Sequence, residues 1–242
     1  MHTRTADQLP AVHRFTHTKF DIKRLQAEAL QLLHEPYPIQ FMQYDPEVRQ
    51  PSRPLQVRSV IRDFHTAWHQ HSRDCTFLHK LRNSTRRALN PDHREYSYHE
   101  PTAQFRGTYF EQVTQQFQAQ AIRVRLVRMD APHVLPPHQD FDPAYAVRVI
   151  IPIFADPTAT NHVWIRGQEH TYHLAADGSA YFLNIGQPHA VIHTAAQPRI
   201  VLCFSLTDQQ DLAEIPPGHT GSNLVEIPNR PYAQLRAQAD KY

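Results

Sequence analysis

The feature that most constrains this chain is a series of short β-rich segments between residues 122 and 206, with no helical pattern among them. Ile122-Arg-Val-Arg-Leu-Val-Arg-Met129 opens with apolar/basic alternation, the mark of a half-buried strand. Ala146-Val-Arg-Val-Ile-Ile-Pro-Ile-Phe154 is a longer β-branched run in which Pro152, lacking an N–H, predicts an edge or a bulge. His162–Ile165 and His170–Leu174 flank Arg166-Gly-Gln-Glu169, a hairpin turn. Ser179–Asn184, Ala190–Thr194 and Arg199–Leu206 follow, parted by Gly186-Gln-Pro188 and Ala195-Ala-Gln-Pro198. About seven strands at roughly ten-residue spacing predict an antiparallel barrel or jelly roll. A parallel sheet would need crossover helices that this stretch lacks.

The remainder reads differently. Ile22, Leu25, Ala29, Leu32 and Leu33 have helical spacing and Pro36 follows as a stop, which predicts a helix ending at His34. Pro36, Pro38, Pro46, Pro51 and Pro54 then punctuate an extended loop. From Gln104 to Gln120 the residues Phe105, Tyr109, Phe110, Val113 and Phe117 share one face, predicting a helix packed on the strands. Tyr232–Ala239 is a short helical tail. The expected organisation is therefore a helical and loop region over 1–119, a β core over 120–207 and an extension over 208–242.

Two cysteines, Cys75 and Cys203, stand far apart, which excludes a disulfide framework and a cysteine-rich zinc site. The first residues, MHTRTADQLPAVHRFTH, hold no apolar signal region, and no apolar run approaches the ~18 residues of a membrane span. A net charge of +2 argues neither for nucleic acid nor for an acidic membrane surface. A cytoplasmic setting and a small-molecule partner are the expectations.

The chain carries 18 histidines, and abundance itself raises the chance rate of any histidine motif. With 23 acidic residues in 242 positions, chance yields about 1.7 His-x-Asp/Glu pairs. The chain has two, His93-x-Glu95 in polar loop-like sequence and His138-x-Asp140 in the β region. Residues two apart on an extended segment leave the same face, so His138 and Asp140 are able to close on one metal. Two ligands are not a site. A second, distant histidine would complete a 2-His-1-carboxylate facial triad that leaves open positions on iron(II).

The late strands offer His189 and His193. If Arg199 faces inward on the next strand and pairs across from 193, then 189 lies opposite 203. Residues 189 and 199 are then about four residues apart along the ladder, roughly 13 Å at ~3.3 Å each. That suits a small dicarboxylate bound to metal at one end and held at the other by a planar guanidinium fork. His193 in the same register would sit opposite Arg199 and crowd the metal, so His189 is the better ligand.

The order His138-x-Asp140, then Arg148, then Asn184-x4-His189 and Arg199 resembles the aspartyl/asparaginyl β-hydroxylase-like group of iron(II)/2-oxoglutarate dioxygenases, and within it the bacterial free-proline hydroxylases. The resemblance covers residues 122–206. It implies a double-stranded β-helix, a jelly-roll, cupin-like core, with Fe(II) held by His138, Asp140 and His189. By family role Arg199 binds the distal carboxylate of 2-oxoglutarate, and Arg148 faces the pocket and contacts a substrate or cosubstrate carboxylate. The family often has Arg-x-His in that strand; this chain has Arg148-Val-Ile150, and His193, on the same face as His189, is the candidate to fill the gap in the cosubstrate lining. The activity implied is hydroxylation of an unactivated C–H of an amino-acid-like substrate (free, carrier-bound or peptidyl) by O2 and 2-oxoglutarate, releasing succinate and CO2. No side chain acts as general base in such a scheme.

Trp164 is the candidate wall of the substrate pocket, with core packing as its competing role. His133, Asp142, Tyr145 and Arg166 lie near the expected mouth and read as solvated loop residues, with substrate contact as their competing role; Asp142 or another acid would meet a substrate ammonium. Asn184 is expected to brace the loop before His189, and Cys203 to fill the core. Arg123, Arg125 and Arg128 read as a solvated strand face. The competing class is a cupin-like metal-binding isomerase or small-molecule-binding module without 2-oxoglutarate turnover, in which Arg199 has no dicarboxylate to hold.

Overall fold

The computed structural model describes residues 3–34, 40–41, 59–63, 65–67, 95–101, 105–129 and 133–239. Pro36, Pro38, Pro46, Pro51 and Pro54 of the proline-punctuated loop, Cys75 and His93 lie outside the described residues. In chain order the strands and α-helices are β1 (Val12–Arg14), α1 (Ile22–His34), β2 (Gln40–Phe41), β3 (Ser59–Asp63), β4 (His65–Ala67), β5 (Tyr98–Pro101), α2 (Tyr109–Thr114), β6 (Ala121–Met129), β7 (His133–His138), β8 (Val147–Phe154), β9 (Thr160–Ile165), β10 (Gln168–Tyr172), β11 (Tyr181–Leu183), β12 (His189–His193), β13 (Arg199–Leu206) and α3 (Tyr232–Ala239).

Strands β6 to β13 are divided between two facing antiparallel sheets. One sheet has the order β1-β11-β8-β13-β6-β3-β2 and the other β10-β9-β12-β7. This alternation of successive strands between sheets is the double-stranded β-helix, and the fold is mainly β. The segment before residue 120 contributes more than helix and loop: β1, β2 and β3 extend the larger sheet at both edges, and β4 pairs with β5. These strands are two to five residues long, too short for a period-2 pattern to be read.

Local chemistry sets the elements that matter for the site. Asp21 starts α1 by accepting the Arg24 N–H at 3.1 Å, and the helix buries Leu25, Ala29 and Leu32 against the outer face of the larger sheet. Each leucine contributes on the order of 1.5–3 kcal/mol and the Ala29 methyl about 0.8 kcal/mol. The second helix is a shorter element than the 104–120 pattern predicts, yet Phe105, Phe110, Val113 and Phe117 all reach that same core. Arg166 and Gly167, both at positive φ (50° and 81°), form the two-residue turn between β9 and β10. Pro152 sits at a register shift between β8 and β13, a bulge within the sheet rather than an edge.

Two apolar layers result. One lies between the larger sheet and the helices, with Val124, Leu126, Val149, Ile151, Leu202 and Phe204 facing outward. The other lies between the sheets, with Val127, Met129, Ile150, Val163, Val191 and Cys203 facing inward. One expectation is overturned here. β12 and β13 do not pair: β12 lies between β7 and β9, and β13 between β6 and β8, so the assumed 193–199 register does not exist. A short turn between sequential strands was read as a hairpin where it crosses from one sheet to the other.

Candidate metal centre

His138 ends β7 and His189 begins β12, and the two residues are directly paired in the ladder. The Asp140 N–H donates to the Ile185 carbonyl at 2.9 Å, which folds the carboxylate back toward His189. The ligand atoms of His138, Asp140 and His189 all lie within 4.8 Å of one another, and the imidazole centroids are 4.2 Å apart. Each histidine donates its Nδ1–H to a main-chain carbonyl two residues earlier, His138 to Pro136 at 2.9 Å and His189 to Gln187 at 3.1 Å. A carbonyl only accepts, so both rings carry the lone pair on Nε2, the tautomer a metal requires. Two imidazoles and one carboxylate are the donor set that suits iron(II).

Arg199 is buried at 3% exposure and its guanidinium crosses the interior from the larger sheet. Among the described residues its side-chain hydrogen-bond partners are the Met129 sulfur (3.4 Å) and the Asn161 side-chain oxygen (3.5 Å). No carboxylate among the described residues is bonded to it. Burial pulls its pKa down to about 10, with Cys203 opposing. Asn161 lies opposite Val191, and Val163 opposite His189, so the guanidinium reaches a point two residues from the triad. That is roughly 7 Å along the strand. An extended five-carbon chain spans about 5 Å between its end carbons. The true spacing is thus shorter than the 13 Å of the assumed register and suits a chelated dicarboxylate better.

A second charged group lies on the same interior. Arg148 is buried at 3% exposure and bonds the Cys203 sulfur (3.5 Å) and Glu95 Oε1 (3.4 Å), with its guanidinium 5.1 Å over the Phe141 ring. Burial works to lower its pKa, but Cys203, Glu95 and Asp140 outweigh it and the pKa is raised. Glu95 also accepts from Arg123 (2.8 Å) and Ser205 (3.0 Å). Arg125 is buried against the Cys203 sulfur at 3.4 Å.

The solvated-face reading of β6 is therefore corrected for Arg123 and Arg125, which face inward, while Arg128 is half-buried. The alternation was right about a buried face; the arginines occupy the barrel interior because helices cover the opposite side. Glu95 was missed because its polar flanks look like any loop, and no local signal marks it as the counter-ion of two strand arginines.

Other residues are placed as follows. Trp164 is not in the interior: it lies on the outer face of the smaller sheet, stacked on His162 and edge-to-face with Tyr232 of α3. Strand alternation decides this, since its neighbour Val163 faces inward. His193 is fully buried, and its Nε2–H donates to the Gln197 carbonyl at 2.6 Å, stapling the turn that delivers Arg199. Asn184 has a structural role, but its side chain donates to the carbonyls of Ala6, Leu9 and Pro10 and so ties down the N-terminal segment rather than the loop before His189. Asp142 accepts the Ala6 and Ala144 N–H groups and is committed to the turn, not to an ammonium. Tyr145 packs between Tyr96 and Phe141, Arg166 is an exposed turn residue, and His133 pairs with His193 at the far end of β7 from the triad.

No protein-family model matches the sequence, and no curated protein matches it. Solved structures of similar shape include a 2OG-Fe(II) oxygenase family oxidoreductase from Burkholderia pseudomallei (15% identity, 84% of this chain and 81% of that one, TM-score 0.43). A prolyl-4-hydroxylase from Pseudomonas putida is similar at 15% identity over 82% of this chain and 93% of its own, TM-score 0.43. So is vicilin from Corylus avellana, at 14% identity over 69% and 34%, TM-score 0.33. Likenesses this distant carry no argument about what this chain does.

Proposed function

We propose that the protein is an iron(II)- and 2-oxoglutarate-dependent dioxygenase that hydroxylates an unactivated C–H bond of an amino-acid-like molecule, free, carrier-bound or peptidyl. The observation that carries this reading is the pairing of a His-Asp-His triad with a buried guanidinium that no carboxylate among the described residues neutralises, about two residues away on the same interior. A metal-binding isomerase or binding module needs the triad but gives Arg199 nothing to do.

In this reading residues 120–207 form the catalytic core, and His138, Asp140 and His189 hold the metal by three positions. The bound iron and cosubstrate supply the oxidising chemistry, with succinate and CO2 released. The chain's own residues bind and orient. Arg199, steadied by Asn161 and Met129, takes the distal carboxylate of 2-oxoglutarate through two charge-assisted hydrogen bonds. His193 holds the turn behind it and acts on the cosubstrate through Arg199. Arg148 lies on the Asp140 side and takes a substrate carboxylate. The apolar inner layer around Val163, Val191 and Ile150 keeps water from the reacting carbon.

The test is succinate formation from 2-oxoglutarate with iron(II) and O2, over a panel of free amino acids. Turnover stimulated by at least one member, and abolished in Asp140→Ala, is the expected result. Succinate formation that Asp140→Ala and Arg199→Met leave unchanged would overturn the assignment.

A further inference from the structure

Arg125 has no role in the scheme above. Its guanidinium is 5% exposed, and its only hydrogen-bond partner among the described residues is the Cys203 sulfur, a weak acceptor. Its Nε–H, fully shielded, has no partner among the described residues. Arg148 meets the same sulfur from β8, so two guanidiniums flank one thiol. Glu95, the nearest acid, is already shared between Arg123, Arg148 and Ser205.

Charge counting sharpens the point. Glu95 forms the ion pairs of Arg123 and Arg148, and Arg125 forms none among the described residues. Iron(II) would add two charges and 2-oxoglutarate would remove two, so loading supplies Arg125 with no counter-ion. Buried charge in excess is expensive unless a ligand supplies the counter-charge.

Inward-facing Cys203, beside both guanidiniums, keeps 8% exposure.

We infer that Arg125 and Arg148 form an anion subsite around Cys203 that binds a carboxylate of the substrate, and that the substrate is a small acid with net negative charge rather than a net-neutral amino acid. The subsite stands on the arginine geometry alone; only the identification of its anion as the substrate rests on the dioxygenase reading. Arg123, stacked on Tyr98 and bonded to Glu95, is a positioning residue that fixes the Glu95 side of Arg148.

Cys203 makes the subsite readable without turnover. Its thiolate displaces iodide from iodoacetate, forming a C–S bond and releasing iodide. The full chain, with neither iron nor 2-oxoglutarate added, is treated with iodoacetate or with neutral iodoacetamide, and labelling is scored on the Cys203 peptide by mass spectrometry. Relative to a free thiol, iodoacetate should be favoured at Cys203 by about 10-fold or more, the worth of one charge-assisted contact. Arg125→Gln should remove that preference, and L-aspartate should protect Cys203 where L-asparagine and L-proline do not. If Arg125→Gln does not fold, Arg125→Met and the protection experiment on the unaltered chain give the same reading. Equal labelling by both reagents, no labelling by either, or a preference that survives loss of Arg125 overturns the inference. Because no metal is present, that failure leaves the iron assignment untouched.

Discussion

Replacing Arg199 by Met should stabilise the protein while destroying its use of 2-oxoglutarate. The guanidinium is 3% exposed, and its pKa of about 10 against an ordinary 12.5 corresponds to about 3 kcal/mol of unfavourable burial. Against this stand two long contacts, to Met129 and Asn161, worth about 0.5–1.5 kcal/mol each at most. Methionine keeps the stem volume and adds no charge. The balance favours Arg199→Met by up to about 2 kcal/mol, which for a domain of this size raises the melting temperature by up to about 4–8 °C. With manganese in place of iron, wild-type protein at 100 times its 2-oxoglutarate Kd should gain about 2.7 kcal/mol. Loss of a bidentate pair lowers that affinity about 10²- to 10⁴-fold and erases the gain. Calorimetric melts with and without 2-oxoglutarate read both effects. A variant that melts lower by several degrees, or keeps its 2-oxoglutarate shift, would refute the picture of a guanidinium waiting for a dicarboxylate.

Three further predictions test the frame around the site. Glu214 gathers His13 (2.5 Å), His17 (3.1 Å) and the Thr16 hydroxyl (2.7 Å), so Glu214→Gln should cost about 1–3 kcal/mol by chemical denaturation at pH 7. Burial works to raise the Glu214 pKa, but hydrogen bonds from His17, Thr16 and His13 prevail and lower it. Its contribution is complete above the ordinary carboxylate pKa and is lost as pH falls through the depressed folded value, so the variant should show a shallower acid-side loss. Trp164→Ala should destabilise by about 1–3 kcal/mol through lost contact with Tyr232 and His162, with the KM for substrate unchanged. A raised KM without a stability loss would restore Trp164 to the pocket. Gly178 holds φ +86° with its added Cβ only 2.1 Å from the Phe20 carbonyl oxygen, so Gly178→Ala should cost about 2–4 kcal/mol in an equilibrium melt.

Much of this arrangement is legible in local sequence, and the losses have identifiable causes. Strands β6, β8, β9 and β13 announce themselves by β-branched runs, and the bulge at Pro152 follows from its missing N–H. His138 and Asp140 are brought together with His189 because strand endings gather side chains that the chain order already suggests. Which sheet a strand joins is not local information. The turn after His193 looks like a hairpin turn, and only the second sheet's demand for partners sends β13 across the interior. The same non-local cause turned Arg125 from an apparent surface residue into an interior one, since alternation reports two faces and not what covers them. Glu95 carries no signature at all: its partners Arg123, Arg148 and Ser205 come from three separate strands.

The central claim is that His138, Asp140 and His189 hold iron(II) with a position pair left for 2-oxoglutarate, and that Arg199 fixes the cosubstrate's far end. Anaerobic titration of the iron(II)-loaded protein with 2-oxoglutarate tests this most directly, because chelation through the carboxylate and keto oxygens produces a visible metal-to-ligand charge-transfer absorption. The account predicts that band at saturating 2-oxoglutarate, its loss in Asp140→Ala and in His189→Ala, and a need for far higher 2-oxoglutarate in Arg199→Met. Absence of the band from the wild-type protein, or its persistence unchanged in Asp140→Ala, would contradict it.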